Sequence, residues 1–307
     1  MIDRRRFLLA GAALAALGTR HAHAQPKPTR VVLLGTKGGP RVGGDRLNPS
    51  TLLLINDVPY LVDCGYGTSL RMVEAKVALP RLRHVFVTHL HSDHLLEYGG
   101  VIYNAWAAGL RTPVDAYGPP GLGAATRAFF ESMKEDIEIR IPDEGRPDLR
   151  KLVAVHEVAG NGAVMRNADV TVTAQLVRHP PWKHAYAYRF DAADRSVVIS
   201  GDTTYAPELA AFAKGADVLV HEVMYLPGVE KLLGRIPNAS TLREHLMASH
   251  TTTEDVGRIA AAAGVKTVVL SHLVPGDDPS ITDAQWAEGV KKHFGGEVIV
   301  GRDLMVI

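Results

Sequence analysis

The heptapeptide THLHSDH, residues 88–94, is the most informative stretch of the sequence. Its three histidines and one aspartate directly follow the apolar run at 84–87, which is typical of a buried strand. Imidazole and carboxylate groups are the ligands that zinc takes in proteins when cysteine is absent, and a strand end can aim several of them at one point. The heptapeptide therefore predicts a metal site at the end of a strand.

Short apolar runs alternate with helical patterns along the rest of the chain. Strands are predicted at 30–35, 50–55, 59–65, 84–89, 169–177, 185–190, 196–200, 217–221 and 267–272, with a strand and turn over 114–121, and helices at about 68–77, 95–109, 122–135 and 253–263. Helices recur between the strands, which predicts an α/β fold of two mixed sheets packed face to face and flanked by helices. No linker separates two halves, so residues 25–307 are predicted to form a single domain.

The first 24 residues differ in kind from the rest. Arg4, Arg5 and Arg6 precede an apolar run, and the sequence AHA at 22–24 ends the segment. The run is shorter than the roughly 20 residues that a membrane-spanning helix needs, which predicts a cleaved signal peptide over 1–24. The order DRRRFLL resembles a twin-arginine (Tat) signal and implies export to the periplasm or beyond. An uncleaved helix at a lipid surface is the alternative.

Charge and cysteine content limit the classes of function. Residues 1–24 contain four arginines and one aspartate, so their removal changes the formal net charge from +1 to −2. Because binding through phosphate neutralisation needs clustered positive charge, we expect no nucleic-acid partner. Cys64 is the only cysteine, which excludes an intrachain disulfide.

The heptapeptide has the spacing HxHxDH, which resembles the signature motif of the metallo-β-lactamase superfamily. Its four ligand-type residues are His89, His91, Asp93 and His94. The resemblance implies a four-layer αββα sandwich with two zinc ions per chain at the mouth between the sheets. It also implies that the histidines at 89 and 91 bind the first metal, and that the aspartate and histidine at 93 and 94 bind the second.

The remaining ligands implied by the resemblance follow other apolar runs. His179 would complete the first site, with His184 as the alternative. Asp202, in SGDTT, would bridge the two metals, and His272, in VVLSH, would complete the second site. Their position after β-branched runs independently places them at strand ends. Asp63 would either hold a ligand histidine by its second ring nitrogen or form a turn.

Two further residues resemble the ribonuclease Z branch of the superfamily. A glutamate after a strand-end histidine pairs there with a histidine ahead of a helix, which here gives Glu222 and His250. Thr251 or Thr252 would cap that helix. A histidine steered by a carboxylate suits a proton donor, so we predict His250, Glu222 and Asp93 as catalytic residues. A solvated histidine at a helix cap is the alternative.

The resemblance implies an exported hydrolase of small esters that uses a metal-bridging hydroxide as its nucleophile. Arylsulfates and phosphodiesters are favoured, and lactones or other carboxylic esters are the alternative. Classical β-lactamases of this fold usually lack the bridging aspartate, so Asp202 argues against penicillin hydrolysis. Bacterial ribonuclease Z carries a tRNA-binding arm between its third histidine and its bridging aspartate. Only 23 positions separate His179 from Asp202, which argues against tRNA processing.

Two other hypotheses compete with the hydrolase. A periplasmic zinc-binding protein would need the ligands but neither Glu222 nor His250, and an iron-based redox enzyme is weakened because no flavin-binding domain is evident. The segment 225–249 is predicted to add a helical lid. The candidates for an apolar pocket lining are Tyr103, Trp106, Trp182, Tyr225 and Leu226. We expect no stable membrane anchoring, and a homodimer is common in this branch.

Overall fold

The computed structural model describes residues 27–237 and 239–307. The signal peptide predicted at 1–24 lies outside the described residues. Two sheets pack face to face, and helices cover their outer faces. This four-layer arrangement confirms the predicted αββα sandwich. No helix within the described ranges is long and apolar enough to span a bilayer.

The first sheet has six strands that lie side by side in chain order. They are β1 (Arg30–Gly35), β2 (Ser50–Ile55), β3 (Val58–Val62), β4 (His84–Phe86), β5 (Val114–Gly118) and β6 (Val153–Glu157). β1 to β3 pair antiparallel, and β3 to β6 pair parallel. The parallel strands therefore direct their carboxyl ends toward one edge of the sheet.

The second sheet has seven strands, again arranged in sequential order. They are β7 (Gly162–Arg166), β8 (Val170–Leu176), β9 (Tyr186–Ala192), β10 (Ser196–Ile199), β11 (Val218–Met224), β12 (Thr267–Val274) and β13 (Glu297–Val300). β7 to β10 pair antiparallel, and β10 to β13 pair parallel. A backbone hydrogen bond of 3.0 Å from Tyr186 N to Thr88 O joins the two sheets beside the metal-site motif.

The helices form three groups. Those beside the first sheet are α1 (Thr68–Glu74), α2 (Ser92–Leu95), α3 (Tyr98–Ala107), α4 (Leu122–Ser132) and α5 (Lys134–Glu144). Those beside the second sheet are α6 (Pro207–Phe212), α9 (Thr253–Ala263) and α10 (Asp283–Lys291). Between these in the chain, α7 (Leu226–Leu233) and α8 (Ala239–Ser249) form a small apolar core of their own. Single 3₁₀ turns occupy Leu79–Arg81 and Leu149–Lys151.

Both faces of the central strands are buried, which explains their continuous apolar runs. In β1, Val31 and Leu33 enter the core between the sheets, whereas Val32 and Leu34 pack against the outer helices. The strand alternation therefore divides one apolar run between two cores.

Candidate metal centre

The ligand-type residues converge at one edge of the sandwich. The heptapeptide follows β4 and enters α2, whereas His179 follows β8, Asp202 follows β10 and His272 lies within β12. The carboxyl ends of parallel strands meet at a common edge, where ligand sites of α/β proteins form. The chain thereby gathers side chains from both sheets into one buried cluster.

Three histidines form the first triad: His89, His91 and His179. The Nδ1 atom of His91 lies 3.0 Å from Nε2 of His89 and 3.0 Å from Nε2 of His179. Ligand atoms that bind one zinc ion tetrahedrally at about 2.0–2.1 Å lie about 3.3 Å apart. The three nitrogens are therefore spaced as ligands of one ion, whereas His184 lies outside this cluster.

Asp93, His94 and His272 form the second triad. Oδ2 of Asp93 lies 3.7 Å from Nε2 of His94 and 3.5 Å from Nε2 of His272. Asp93 lies within α2, directly before His94, so the short helix turns both side chains toward the site.

Asp202 lies between the triads. Its Oδ2 atom is 3.8 Å from Nε2 of His89 and 3.9 Å from Nε2 of His179 in the first triad. The same atom is 3.3 Å from Nε2 of His94 and 3.1 Å from Nε2 of His272 in the second. One carboxylate thus faces both groups, which is the position of a bridging ligand.

The donor set fits a divalent metal. Within the described ranges, His94 Nε2, both ring nitrogens of His272 and Asp202 Oδ1 are buried without a hydrogen-bond partner. Buried polar atoms are normally satisfied, and Nε2 of His94 and Nε2 of His272 lie 3.3 and 3.1 Å from Oδ2 of Asp202, in a cluster of nitrogen and carboxylate oxygen donors. Imidazole and carboxylate donors suit zinc and its first-row neighbours. The triads and Asp202 are therefore able to hold metal ions.

The first triad favours neutral imidazoles. Burial lowers the pKa of His89 well below its ordinary value, and the nearby His94 lowers it further. Burial also lowers the pKa of His91 and of His179 to about 4 in each case. Only a neutral imidazole binds a metal. These rings are already neutral at neutral pH, so they do not have to release a proton when an ion binds.

The second triad favours ion pairs. Burial opposes charge on His94, but Asp202, Asp63 and Asp93 raise its pKa well above the ordinary value. At His272, burial also lowers the pKa, but the nearby Asp202 outweighs this effect and the pKa is raised to about 10. His94 and His272 in turn lower the pKa of Asp93 to about 2 against the opposing effect of burial.

Hydrogen bonds to the second ring nitrogens orient the ligand histidines. His94 Nδ1 lies 2.8 Å from Oδ2 of Asp63, and His179 Nδ1 lies 2.9 Å from the backbone oxygen of Ser249. Both oxygens accept only, so each Nδ1 carries a proton and Nε2 is the nitrogen that faces the metal position; at His94 that nitrogen must first lose its own proton. Asp63 thus contacts a ligand histidine, which is the first of the two roles considered for it.

Two backbone features bring the donors close together. His272 has a φ of 44°, so β12 is interrupted there by a left-handed residue. Gly201 has a φ of 58°, and a Cβ atom at that position would lie 2.6 Å from Tyr186 O. The glycine before Asp202 therefore lets the chain turn close to the β9 backbone and to the Thr88 side chain.

Glu222 and His250 lie beside the second triad. Oε1 of Glu222 accepts hydrogen bonds from the backbone N–H groups of Thr203, at 3.2 Å, and Thr251, at 2.9 Å. His250 Nδ1 is 3.4 Å from that oxygen, but the angles are not those of a hydrogen bond. A ring nitrogen of His250 lies within 4.8 Å of ligand atoms of Asp202 and His272. Thr252 is the N-cap of α9, which resolves the choice of capping residue.

A cavity of about 460 Å³ opens onto the cluster. The segment 225–249, predicted as a lid, forms α7 and α8 and supplies much of its apolar wall; its movement stays a prediction. The apolar lining residues are Pro40, Leu232, Ile236, Leu242, Leu246, Val274 and Pro275.

The predicted aromatic lining of this cavity is wrong. Tyr103, Trp106, Tyr225 and Leu226 do not line it in the described structure, and Trp182 reaches only its edge, where its ring lies 5.4 Å from that of His91. The rings of Tyr103 and Trp106 pack edge to face, 5.4 Å apart, beneath the first sheet, because α3 turns both toward the core. The ring of Tyr225 lies 5.6 Å from that of Trp286 in α10, beside the second sheet.

Sequence reasoning missed three polar residues of the cavity: Lys37, Arg41 and His245. Lys37 and Arg41 lie in the glycine-rich sequence GTKGGPRVGG after β1, which was a signal for a loop near a ligand. The ring of His245 lies 6.1 Å from those of both His91 and His250. Its place in the segment predicted as a lid was the available signal for it.

Comparison with known proteins agrees with this geometry. The family model described as the β-lactamase superfamily domain matches residues 59–273. The chain belongs to the metallo-β-lactamase superfamily. Ribonuclease Z of Mycobacterium bovis is 32% identical over 277 residues, which cover 89% of this chain and 96% of that protein.

Solved structures of the superfamily share the fold at lower identity. The human short-form tRNase Z is 20% identical with a TM-score of 0.65, and the match covers 91% of this chain and 98% of that one. A metallo-β-lactamase fold protein from Bacillus subtilis is 22% identical with a TM-score of 0.66, covering 92% and 99%.

The prediction of a small-molecule ester substrate and no nucleic-acid partner is wrong, because the curated relatives are ribonucleases. The match covers 96% of the mycobacterial protein, which leaves no room in that protein for a long additional arm. A short interval between His179 and Asp202 therefore does not exclude a ribonuclease. Net charge also misled, because phosphate recognition depends on the local field around a site rather than on the total charge.

Proposed function

We propose that this superfamily hydrolase is a metal-dependent phosphodiesterase that cleaves RNA. The observation that carries the proposal is the position of His250, which has a ring nitrogen within 4.8 Å of the Asp202 and His272 ligand atoms. A protein that only stored metal would not need this residue beside its ligands. The curated ribonuclease Z relatives support RNA as the substrate.

We further propose two zinc ions as the metals. The first would be held by His89, His91 and His179, the second by Asp93, His94 and His272, with Asp202 between them. When bound, such ions supply Lewis-acid activation of water and of the phosphoryl group. The count of two follows from the division of the donors into two triads around one carboxylate.

The chain's own residues then supply the proton. A water molecule that has released one proton to the solvent attacks phosphorus, the bond from phosphorus to the leaving oxygen breaks, and His250 donates a proton to that oxygen. Glu222 faces Nδ1 of His250 and is itself fixed by two backbone N–H groups. We assign Glu222 to positioning, because it acts on the substrate only through His250.

Metal-loaded protein and its His250→Ala variant test the proposal on one substrate panel. The panel contains a precursor tRNA, an unstructured oligoribonucleotide, bis(p-nitrophenyl) phosphate, p-nitrophenyl sulfate, a lactone and a carboxylic ester. We expect cleavage of RNA with a kcat that falls about 10²–10⁴-fold in the variant, the usual contribution of a general acid. The zinc content of the variant should match that of the unaltered protein.

His293→Ala is the matched control, because His293 is an exposed histidine outside the cavity. It should leave kcat unchanged. Hydrolysis of the sulfate or the carboxylic esters with no cleavage of either RNA would disprove the proposal. Equal rates for His250→Ala and His293→Ala would remove His250 from the mechanism.

Export is also proposed, on the N-terminal sequence alone. Arg4 and Arg5 precede the apolar run in the order expected of a twin-arginine signal. Protein recovered from the periplasm should begin at Gln25 by N-terminal sequencing. An Arg4→Lys, Arg5→Lys double variant should remain uncleaved in the cytoplasm, and periplasmic recovery of that variant at the normal level would contradict the twin-arginine route.

A further inference from the structure

A second cavity of about 320 Å³ adjoins the one at the metal centre. The two share five lining residues, Arg41, Leu232, Ile236, Pro275 and Asp277. A continuous groove therefore leads from the metal ligands to the end of α7. Its added volume is at the lower end of the range that holds small ligands, which suits about one nucleotide.

Of the five charged residues that line the second cavity, Lys231 and Asp278 form an ion pair. Lys231 Nζ lies 2.7 Å from Oδ2 of Asp278 and 2.9 Å from Oγ of Ser280. The negative charge of Asp277 raises the pKa of Lys37, but burial has the larger effect and lowers that pKa overall. These contacts leave the carboxylates of the cavity facing lysines.

The arginines of the groove are different. Arg41 and Arg235 are exposed, and neither forms an ion pair or a side-chain hydrogen bond within residues 27–237 and 239–307. A guanidinium presents a planar set of donors that matches phosphate oxygens in pairs. Two such groups beside a groove that starts at a hydrolytic centre suit a ligand with repeated phosphates.

The two arginines come from separate and well-anchored parts of the fold. Arg41 lies in the loop between β1 and β2, whose base is held by Asp303 through Thr36 Oγ1 and Leu47 N, each at 2.7 Å. Arg235 lies two residues after α7, which Val229 and Leu233 anchor in the small apolar core. The ligand would thus lie between elements attached to different sheets.

We infer that Arg41 and Arg235 bind phosphates of the RNA strand next to the phosphate that is cleaved. This inference rests on the proposed function and names the surface that holds the substrate. Asp278 does not oppose it, because Lys231 pairs with that carboxylate. A single RNA strand that binds along this groove would need no separate binding arm between His179 and Asp202.

The inference is tested by steady-state kinetics on an unstructured oligoribonucleotide of about 12 nucleotides. KM and kcat are measured at salt concentrations of about 50–300 mM. The Arg41→Gln, Arg235→Gln double variant should raise KM about tenfold. Its slope of log(kcat/KM) against log[salt] should fall by about 0.7 for each lost phosphate contact. The KM for bis(p-nitrophenyl) phosphate, which has one phosphate, should rise much less.

Arg127→Gln is the matched control, because it removes an exposed arginine from α4 beside the first sheet, away from both cavities. It should leave KM and the salt slope unchanged. If the unaltered protein cleaves RNA and the double variant has the same KM and salt slope as this control, the inference is overturned and the proposed function still holds. Absence of RNA cleavage by the unaltered protein would overturn both. Equal KM increases for the oligonucleotide and bis(p-nitrophenyl) phosphate would also overturn the inference, since Arg41 would then act only at the cleaved phosphate.

Discussion

The two triads of the metal centre differ in how they carry charge. In the first, burial keeps His89, His91 and His179 neutral. In the second, carboxylates favour protonated histidines, with the pKa of His272 raised to about 10. A metal ion can therefore bind the neutral imidazoles of the first triad directly, whereas in the second triad it must displace protons from the histidines.

The triads also differ in what orients them. A backbone oxygen of Ser249 accepts the hydrogen bond from His179, whereas the side chain of Asp63 accepts the one from His94. A side-chain substitution can remove the second contact but not the first. The second site should therefore be the more easily weakened, and metal binding at each site can be measured to test this.

Removal of Asp202 should abolish the difference between the sites, because its Oδ2 atom faces both triads. Asp202→Ala is expected to reduce zinc affinity at both sites and to lower RNA cleavage on the order of 10³-fold. Mass spectrometric metal analysis and kcat/KM measure the two effects. Full zinc content with full cleavage would contradict the bridging position.

The strongest sequence signals predicted their elements accurately. The bounds of β1, β2 and α9 match the predictions, because long apolar runs or a capping threonine mark them. β13 is a four-residue strand and α6 a six-residue helix, too short for periodicity to emerge. α5 was missed beyond its start because it is strongly charged and contains Pro142.

The cluster of ligand-type residues was predictable because each follows an apolar run or belongs to a dense motif. The cavity was not. Its wall joins Leu232 of α7 and Leu246 of α8 to Val274 of β12, which only the tertiary fold brings together. The aromatic residues were misplaced for the same reason, since the sequence does not show which face of a helix turns toward a cavity.

Asp63→Asn should weaken the second site selectively. The carboxylate accepts from His94 Nδ1 at 2.8 Å and from the backbone N–H of Thr88 at 2.7 Å. Loss of such a carboxylate–histidine contact typically costs 10–100-fold in metal affinity. Competition with a chromogenic chelator should show one weakened zinc and one unchanged zinc.

Asp115→Asn is the matched control for this change. Asp115 also accepts from a histidine, His156, at 2.8 Å, but this pair lies on β5 and β6 of the first sheet and belongs to neither triad. It should leave both zinc affinities unchanged. Equal weakening of the two sites by Asp63→Asn would show that the triads are not independently supported.

Thr88→Val should give the smallest effect and should reach both sites. Its hydroxyl lies 2.9 Å from Oδ2 of Asp63 and 3.1 Å from Nδ1 of His89, so it can donate to the carboxylate and accept from the ring. Loss of these contacts at about 1 kcal/mol should weaken each zinc about fivefold. Asp63 keeps its bonds to Thr88 N and His94, so the second site should lose less than in Asp63→Asn. Thr88→Ser retains the hydroxyl and should bind both ions normally, and equal affinities in the two Thr88 variants would show that the hydroxyl does not couple the triads.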